Sequence, residues 1–600
     1  MSRFDYAFGA RLIAPQRTRF RLWAPDRQQV AIEIDGWPPL AMTPLEGGWF
    51  ACEADCGAGA RYRFRVSDDL AVPDPASRAQ AGDVHEASIV CDPDAYQWQH
   101  PDWSGRPWHE TVLYELHVGA LGGFSAVARR LPALAELGIT AIELMPVADF
   151  PGPRNWGYDG VLPYAPDAAY GTPEELKALI DDAHGLNMSV FLDVVYNHFG
   201  PDGNYLGSYA SAFFRDDIHT PWGQAIDFRR PQVRDFFTEN ALYWLTEFHF
   251  DGLRFDAVHA ISEQDWLAEM AQRVREGIAP PRHVHLVLEN DDNCARLLSQ
   301  TLSQTPQRLF DAQWNDDLHH ALHVLLTGER EGYYADYVTQ ADEKLARGLV
   351  EGFIFQGEPS PFRGGAARGE PSAHLPPTAF VAFLQNHDQV GNRAFGERLN
   401  MLADPDALRA ASALLLLSPQ IPLLFMGEEI GASQPFLYFT SHLTPQLADA
   451  VRKGRRQEFA RFAHFSDAAT RERIPDPNAE QTFLDSIPRT EGATAQAWRA
   501  WVKALLAIRS EHIVPRLQDA RALGADLLGK AAIKARWRMG DGTVLMIAFN
   551  LHEAPVPVAL DSLADGRGGR ILFETEGVPD ALLRGELPGH AFITVLEPAT

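Results

Sequence analysis

The chain has 600 residues, of which 46% are hydrophobic and 22% charged, a composition typical of a folded globular protein with several domains. Its formal net charge of −27 argues against nucleic acid and membrane surfaces as partners, because phosphate groups and anionic lipids would repel it. The chain has only four cysteines and no apolar run of signal-peptide length at its start, so a reducing, cytoplasmic location is expected.

The first part of the chain has the alternating pattern of β-strands with one buried face. From Thr18 to about Val90, short runs such as TRFRLWAP, QVAIEI and RYRFRV alternate polar and apolar residues between Gly and Pro. This pattern predicts a small β-sandwich, assigned to residues 1–95. A stretch rich in Trp, Pro, Asp and His at 97–110 is typical of a linker.

The middle of the chain alternates strand-like and helix-like segments. Seven β-rich runs are TVLYELHVGA, ITAIELMPV, MSVFLDVVY, FDGLRFDAV, HVHLVLEN, TAFVAFLQ and QIPLLFMG. Helical stretches such as FSAVARRLPALAELG and TPEELKALIDDAHGLN fall between them. Alternation over about 400 residues predicts an α/β fold, a central (β/α)8 (TIM) barrel with insertions at residues 96–523. Renewed alternation then predicts a C-terminal all-β domain at residues 524–600.

Four of the segments in the middle of the chain end in polar residues. They are DVVYNH at 193–198, GLRFDAVH at 252–259, LVLEN at 286–290 and FLQNHD at 383–388. The C-terminal ends of parallel barrel strands meet at one face, where they form a shared site. A single strand-end acid is more often a helix cap or an ion pair, whereas four such segments together favour an active site.

Asp256 and Glu289 are the candidate pair for glycoside cleavage with retention of configuration. This reaction needs a carboxylate and a protonated carboxyl about 5 to 5.5 Å apart. Arg254 lies two residues before Asp256, on the same side of a strand, so its guanidinium is expected to keep Asp256 ionised. Glu289 ends an apolar run without an adjacent cation, so burial is expected to keep it protonated. Asp256 is therefore the predicted nucleophile and Glu289 the predicted general acid.

Other polar residues of these segments are candidates to bind the sugar. Asp388, His387 and His198 are predicted to contact sugar hydroxyl groups as the ring distorts toward an oxocarbenium ion. Asn197 and His259 are supporting candidates. For Asp193, a structural role in anchoring Arg254 is as well supported as substrate contact.

The four segments resemble the four signature regions of the α-amylase family of glycoside hydrolases and transferases, in the same order. The resemblance implies that Asp256 is the nucleophile, Glu289 the acid/base and Asp388 the transition-state stabiliser. It also implies a sugar-stacking role for Tyr158 in WGYDG, and no cofactor. Supporting roles in substrate binding are implied for Asp193, Asn197, His198, Arg254 and His387.

Within this family, nearly the whole chain is similar to the trehalohydrolases, in segments such as FGARL, ELMPVADFPG, YNHFGPDGNYL, LVLENDDN and RGEPSAHLPPTAFVAFLQNHDQVGNRAFGERL. The resemblance implies hydrolysis of the α-1,4 bond next to the trehalose unit of maltooligosyltrehalose, with related α-glucans as further ligands. It also implies functional coupling to a maltooligosyltrehalose-forming synthase, without direct binding.

The alternative of the same class is a 1,4-α-glucan branching enzyme. Such enzymes have a similar leading immunoglobulin-like domain and a similar GYDGVLPYAP segment. A non-catalytic glucan-binding protein is the alternative of another class.

Three remaining features have more than one interpretation. His319, His320 and His323 lack the glutamate that a zinc protease has beside its first histidine, so a helix capped near Asn315 is predicted and no metal is expected. Trp222, in the polar segment HTPWGQ, either stacks on a sugar ring or belongs to the core. The Gly- and Pro-rich segment 357–377 either shapes the substrate groove or is an exposed loop.

Overall fold

In the computed structural model, residues 6–220, 223–299, 308–489, 492–558 and 569–599 are described. The N-terminal part contains two antiparallel sheets, ordered β1-β2-β6-β5 and β4-β3-β7-β8, with β9 paired to β7. Their inner faces meet in apolar contacts such as the one between Phe20 and Tyr62, whose ring centroids are 4.8 Å apart. The strands are β1 (Arg11–Ala14), β2 (Arg17–Trp23), β3 (Ala31–Ile34), β4 (Leu40–Ala41), β5 (Thr43–Pro44), β6 (Trp49–Ala54), β7 (Arg61–Ser67), β8 (Leu70–Val72) and β9 (Ser88–Ile89).

The middle part contains a closed barrel of eight parallel strands, in the order β10-β11-β14-β17-β18-β19-β22-β23. Three antiparallel pairs, β12 with β13, β15 with β16 and β20 with β21, lie in the connections between barrel strands. The strands of this part are β10 (Leu113–Leu116), β11 (Ala141–Leu144), β12 (Ala148–Asp149), β13 (Leu162–Pro166), β14 (Ser189–Val194), β15 (Phe214–Thr220), β16 (Gly223–Ile226), β17 (Gly252–Phe255), β18 (His285–Leu288), β19 (Ala312–Trp314), β20 (Glu358–Ser360), β21 (Ala366–Arg368), β22 (Phe380–Phe383) and β23 (Ile421–Phe425).

Helices surround the barrel and complete its connections. Thr172 caps α3: its hydroxyl accepts a hydrogen bond from the N–H of Glu175, whose carboxylate accepts one from the N–H of Thr172. The α-helices are α1 (Phe124–Ala128), α2 (Leu131–Leu137), α3 (Pro173–Gly185), α4 (Pro231–Thr246), α5 (Asp265–Gly277), α6 (Ala295–Ser299), α7 (Asp316–Thr327), α8 (Ala335–Val338), α9 (Ala341–Glu351), α10 (His387–Gly391), α11 (Pro405–Leu417), α12 (Pro445–Glu458), α13 (Ala468–Glu472), α14 (Glu480–Asp485) and α15 (Gly492–Ile508).

All seven β-rich runs predicted in the middle of the chain are barrel strands, and the predicted α/β barrel fold is confirmed. Strands such as β14, with the sequence SVFLDV, are buried along their whole length, because in a parallel barrel both faces of a strand are covered. The eighth strand, β19, was not predicted. It has only three residues, AQW, and so lacks the apolar run by which the others were found.

The C-terminal part is a β-domain, as predicted. Its main sheet has the order β24-β25-β26-β30-β28, and β27 pairs with β29. Its elements are β24 (Arg521–Gly529), β25 (Ala532–Arg538), β26 (Val544–Asn550), β27 (Val556–Pro557), β28 (Arg570–Glu574), α16 (Val578–Leu583), β29 (Glu586–Leu587) and β30 (Ala591–Glu597). The domain bounds at residues 95 and 523 stay predictions, and the second of them falls within β24.

Arg78 connects the N-terminal sandwich to the barrel. Its guanidinium lies 4.4 Å from the ring centroids of both Tyr164 and Tyr243, which belong to the barrel part. Its Nη2 donates to the carbonyl oxygen of Phe8 at 3.2 Å. A buried cation between aromatic rings combines packing with electrostatic attraction, which fixes the sandwich on the barrel. In the described part of the chain, no helix is long and apolar enough to cross a membrane.

Candidate active site

Arg254 connects three carboxyl groups at the C-terminal ends of neighbouring barrel strands. Its Nη1 lies 2.8 Å from Asp193 Oδ2 and 2.9 Å from Asp256 Oδ1, and its Nη2 lies 2.8 Å from Glu289 Oε2. The guanidinium carbon lies 4.3 Å from the ring centroid of Trp314. Arg254 is 1% exposed, so this single buried cation fixes the relative positions of all three carboxyl groups.

The surroundings and the pKa of Glu289 differ from those expected from the sequence. The expectation that no cation lies near it is wrong, because the pairing of β17 with β18 places Arg254 opposite Val287, close to Glu289. Burial raises the pKa of Glu289, yet the charges of Arg254 and His259 and the N–H of Ala257 together bring this pKa below its ordinary value. Burial, followed by the charge of Glu289, raises the pKa of Asp256 well above its ordinary value. The two carboxyl groups share the charge of Arg254 and therefore titrate together as a pair.

Ala257 is a contact of Glu289 that was not predicted. Its N–H donates to Glu289 Oε2 at 2.8 Å. Its backbone has φ 39° and ψ 49°, in the left-handed region that residues other than glycine rarely occupy. Strained backbone of this kind persists where surrounding contacts hold it and is common at functional sites. The turn directs a backbone donor at one of the two central carboxyl groups.

Tyr158 and His387 form one wall of the site. Their rings stack with centroids 5.1 Å apart, and Tyr158 Oη lies 2.8 Å from His387 Nε2. The Tyr158 hydroxyl donates to Asp193 Oδ2 at 2.7 Å. The structure therefore brings Tyr158, Asp193, Arg254 and His387 together, as required if they bind one sugar.

Glu115, in β10, orients His387 and was missed in the sequence. It accepts hydrogen bonds from the His387 N–H at 2.9 Å and from His387 Nδ1 at 2.5 Å. Burial by itself would lower the pKa of His387, but the Glu115 carboxylate, together with the charge of Asp388, brings this pKa above its ordinary value. The sequence contained a signal, because Glu115 is the only acid in the apolar run TVLYELHVGA.

The supporting candidates occupy different positions. His198 is buried, and its Nε2 lies 2.9 Å from the carbonyl oxygen of Tyr158. Asn197 is also buried, with Oδ1 3.0 Å from His198 Nδ1. His259 is exposed, and its Nδ1 accepts from the N–H of Asp291 at 3.3 Å. Trp222 lies outside the described residues, so its predicted role stays a prediction.

Asp388 lies in the first turn of α10, after strand β22. Asn386 caps this helix, and its side chain accepts from the N–H of Gln389 at 2.8 Å. Asn392 Nδ2 donates to Asp388 Oδ1 at 2.5 Å. Burial raises the pKa of Asp388, and its further causes include the charges of His387 and Glu289. Asp388 thus lies in the same electrostatic environment as the Arg254 group.

Helix α7 begins at Asp316 and is capped by the side chain of Asn315, which confirms the predicted helix start. The rings of His323 and Tyr334 stack with centroids 4.3 Å apart, and His323 Nε2 lies 2.8 Å from Glu329 Oε2. Burial lowers the pKa values of His319 and His320 well below the ordinary value. The lowered pKa values favour the neutral form of His319 and His320, which, like His323, pack against aromatic rings.

The segment 357–377 contains the hairpin β20–β21, which lies against the site. Arg363 Nη1 donates to Asp292 Oδ1 at 2.7 Å, and Arg368 Nε donates to the carbonyl oxygen of Asp291 at 2.7 Å. Asp291 directly follows the LVLEN segment. These contacts favour the interpretation that the segment shapes the groove.

The hairpin β12–β13 carries Tyr158 and has a pair of buried carboxyl groups at its base. Asp167 accepts hydrogen bonds from the N–H groups of Phe150 and Ala169, and burial raises its pKa to about 7. Burial and the charge of Asp167 raise the pKa of Asp149 well above its ordinary value, and Asp149 Oδ2 has no hydrogen-bond partner. Both groups have lower pKa values in the unfolded chain than in the folded protein. As the pH rises from about 4 to about 7, the unfolded chain therefore loses these protons first, and the free energy of unfolding falls.

Asp149→Asn is expected to stabilise the protein at neutral and alkaline pH. The neutral amide removes the repulsion between the like charges of Asp149 and Asp167. The free energy of unfolding should rise by about 1 to 3 kcal/mol at pH 8, with little gain at pH 4. Urea unfolding between pH 4 and 8 measures this, with the exposed Asp102→Asn as control. A gain that does not depend on pH would contradict the explanation.

Comparison with known proteins agrees with this geometry. The family model "Alpha amylase, catalytic domain" matches residues 91–222, and "Domain of unknown function (DUF3459)" matches residues 520–593. The malto-oligosyltrehalose trehalohydrolase of Deinococcus radiodurans is 42% identical over 580 residues, which covers 94% of this chain and 93% of that protein. The malto-oligosyltrehalose trehalohydrolase of Saccharolobus solfataricus is 39% identical over 82% of this chain and 85% of that protein. A 1,4-alpha-glucan branching enzyme of Streptomyces coelicolor is 34% identical but covers only 42% of this chain and 38% of that enzyme.

Solved structures agree on the fold. A crystal structure from Salmonella typhimurium, described as an alpha amylase, has a TM-score of 0.91 and 44% identity and covers 99% of this chain and 100% of that one. A pullulanase of Anoxybacillus, solved with maltotetraose, has a TM-score of 0.68 at 17% identity, covers 99% of this chain and 88% of that one, and supports the fold alone. By its identity to relatives over nearly the full length of both chains, the protein belongs to the malto-oligosyltrehalose trehalohydrolases of the α-amylase family.

Proposed function

We propose that this protein hydrolyses the α-1,4-glucosidic bond next to the trehalose unit of maltooligosyltrehalose and releases trehalose and a maltooligosaccharide. The family to which the chain belongs supports this reaction. The observation that carries the chemistry is the contact of one guanidinium, that of Arg254, with both Asp256 and Glu289. This contact holds two carboxyl groups close together at the end of the barrel, as cleavage with retention requires.

The reaction proceeds by two displacements at the anomeric carbon. An Asp256 oxygen attacks this carbon while the glycosidic bond breaks and Glu289 donates its proton to the departing trehalose oxygen. Glu289, now a carboxylate, takes a proton from water. The resulting hydroxide attacks the same carbon, and the bond to Asp256 breaks. Arg254 stabilises the Asp256 carboxylate when it is the leaving group.

The proton of the Asp256 and Glu289 pair must be on Glu289 when the reaction begins. Arg254 contacts both carboxyl groups, so the side on which it binds more closely becomes the ionised one. In the substrate complex, a hydrogen bond from protonated Glu289 to the glycosidic oxygen favours this position of the proton.

The other site residues hold the sugar that is attacked. Tyr158 and His387 lie beside Asp193 and offer a stacking face to the sugar, and the Glu115 carboxylate, which raises the pKa of His387, favours its positively charged form. His198, Asn197, His259 and Trp222 are proposed to support this binding. Asp388 is proposed to stabilise the positive charge that develops on the ring.

The two alternatives are less well supported. The branching-enzyme relative covers less than half of this chain, whereas the trehalohydrolases cover nearly all of it. A protein that only binds glucans has no need for a buried cation that contacts two carboxyl groups suited to catalysis.

The proposal is tested by incubating the purified protein with maltotriosyltrehalose and, separately, with amylose, and identifying the products by chromatography. Release of trehalose from the first and slow attack on the second are expected. The maltotriose should form first as its α-anomer, which NMR detects before mutarotation. New α-1,6 branches in amylose without trehalose release would instead identify a branching enzyme.

The substrate has to be supplied by a synthase that forms maltooligosyltrehalose from α-glucans. Coupling through a diffusing sugar requires no direct binding between the two enzymes. A reducing cytoplasm is the proposed location, consistent with the free state of Cys52, Cys56, Cys91 and Cys294.

A further inference from the structure

Asp316 is a carboxyl group at the rim of the site for which the mechanism above has no role. It follows strand β19, which lies between β18, the strand before Glu289, and β22, the strand before Asp388. Its Oδ1 accepts a hydrogen bond from Gln389 Nε2 at 3.0 Å, and Gln389 Oε1 accepts one from the Tyr333 hydroxyl at 3.3 Å. Asp316, Gln389 and Tyr333 thus form a continuous polar chain.

Asp316 is distinguished from its neighbour Asp317 by its contacts. Asp317 is fully buried and accepts hydrogen bonds from the N–H groups of Ile354 and Phe355 and from Asn293 Nδ2, so its role is structural. Asp316 is only half-buried, and no described residue donates a hydrogen bond to its Oδ2. One oxygen is therefore fixed by Gln389, while the other is available to a ligand.

The position of Asp316 determines which part of the substrate it would meet. The attacked sugar is held by Tyr158, Asp193, Arg254 and His387. In the barrel, β19 pairs directly with β18, the strand before Glu289, whereas β17 and β18 separate it from β14, the strand of Asp193. The hairpin β20–β21, which follows β19 in the chain, contacts Asp291 through Arg368. Glu289 protonates the departing oxygen, so a group beside it and away from the pocket of the attacked sugar faces the leaving group.

We propose that Asp316 binds a hydroxyl group of the departing trehalose and is a residue that determines specificity for this leaving group. The inference rests on the proposed function. Burial and the neighbouring acids Glu289, Asp291 and Asp388 raise the pKa of Asp316 well above its ordinary value. A neutral carboxyl group donates one hydrogen bond and accepts others, which suits a sugar hydroxyl. If a ligand lacks this hydroxyl, the Asp316 carboxyl group loses water on binding without gaining a hydrogen bond in return. Such a loss is the basis of strong discrimination between ligands with and without the hydroxyl.

The test uses two substrates with the same number of glucose units, maltotriosyltrehalose and maltopentaose. Asp316→Ala is expected to lower kcat/KM for maltotriosyltrehalose by about 10- to 100-fold and to affect maltopentaose by less than about 3-fold. Asp316→Asn, which resembles the neutral acid, should restore most of the activity. Calorimetry should show weaker binding of trehalose itself to Asp316→Ala, with maltotriose binding unchanged.

Glu331→Ala, a change at an exposed acid in the segment that follows α7, is the matched control and should resemble the wild type. Equal losses of activity on both substrates, or unchanged trehalose binding by Asp316→Ala, would overturn the inference. A large fall in melting temperature shared by Asp316→Ala and Asp316→Asn would also overturn it, because it would indicate a structural role at the start of α7. Failure of the wild type to release trehalose would instead refute the proposed function, so the two failures are distinguishable.

Discussion

Replacing Asp256 with asparagine is expected to lower kcat for maltotriosyltrehalose by about 10⁴-fold or more, because an amide cannot form the covalent glycosyl intermediate. The melting temperature should stay close to that of the wild type. Asparagine has the same size as aspartate, and its Oδ1 can still accept the hydrogen bond from Arg254 Nη1. Trehalose release, followed by chromatography, and thermal unfolding measure the two effects.

Asp102→Asn provides the control for this experiment, since Asp102 is an exposed acid far along the chain from the four segments of the site. It should retain full activity. If Asp256→Asn cleaved the substrate at a rate within tenfold of the wild type, Asp256 would not be the nucleophile and the mechanism would be wrong.

Replacing Glu289 with glutamine is expected to lower kcat for maltotriosyltrehalose by about 10³-fold, the usual contribution of general acid catalysis. The loss should be much smaller with α-maltotriosyl fluoride in the presence of azide. Fluoride leaves without a proton, and azide attacks the glycosyl intermediate without a general base. The product should be α-maltotriosyl azide, because two inversions at the anomeric carbon give retention.

The same variant tests whether Glu289 has a structural role. The glutamine oxygen can still accept from Arg254 Nη2 and from the N–H of Ala257, so only a small fall in melting temperature is expected. Glu46→Gln, a change at an exposed acid of the N-terminal sandwich, serves as control. A large fall in stability, or no rescue by azide, would contradict the role of acid/base.

Local patterns along the chain predicted most of the fold. Buried strands such as β14 are apolar throughout and could be found from their sequence. β19 could not, because three residues give no period and the strand is defined by its pairing with β18 and β22. The missed strand is the one that places Asp316, so its proposed role could not have been inferred before the barrel was known.

The site was predicted in part. The contact between Arg254 and Asp256 follows from their spacing of two at the end of one strand and is present at 2.9 Å. The contact of Arg254 with Glu289 joins different strands, and it lowers the pKa of Glu289, which was expected to be raised. Glu115, which is far from His387 in sequence, orients it from another strand.

By itself, the sequence determined the type of barrel, the strands that end in acids and the family resemblance, because these depend on residue type and short spacing. Only the tertiary structure decided which polar groups are neighbours: Arg254 with Glu289, Glu115 with His387, Asp149 with Asp167, and Gln389 with Asp316. The physical reason is that electrostatic interactions depend on distance and burial in space, and strand pairing brings together groups that the sequence separates.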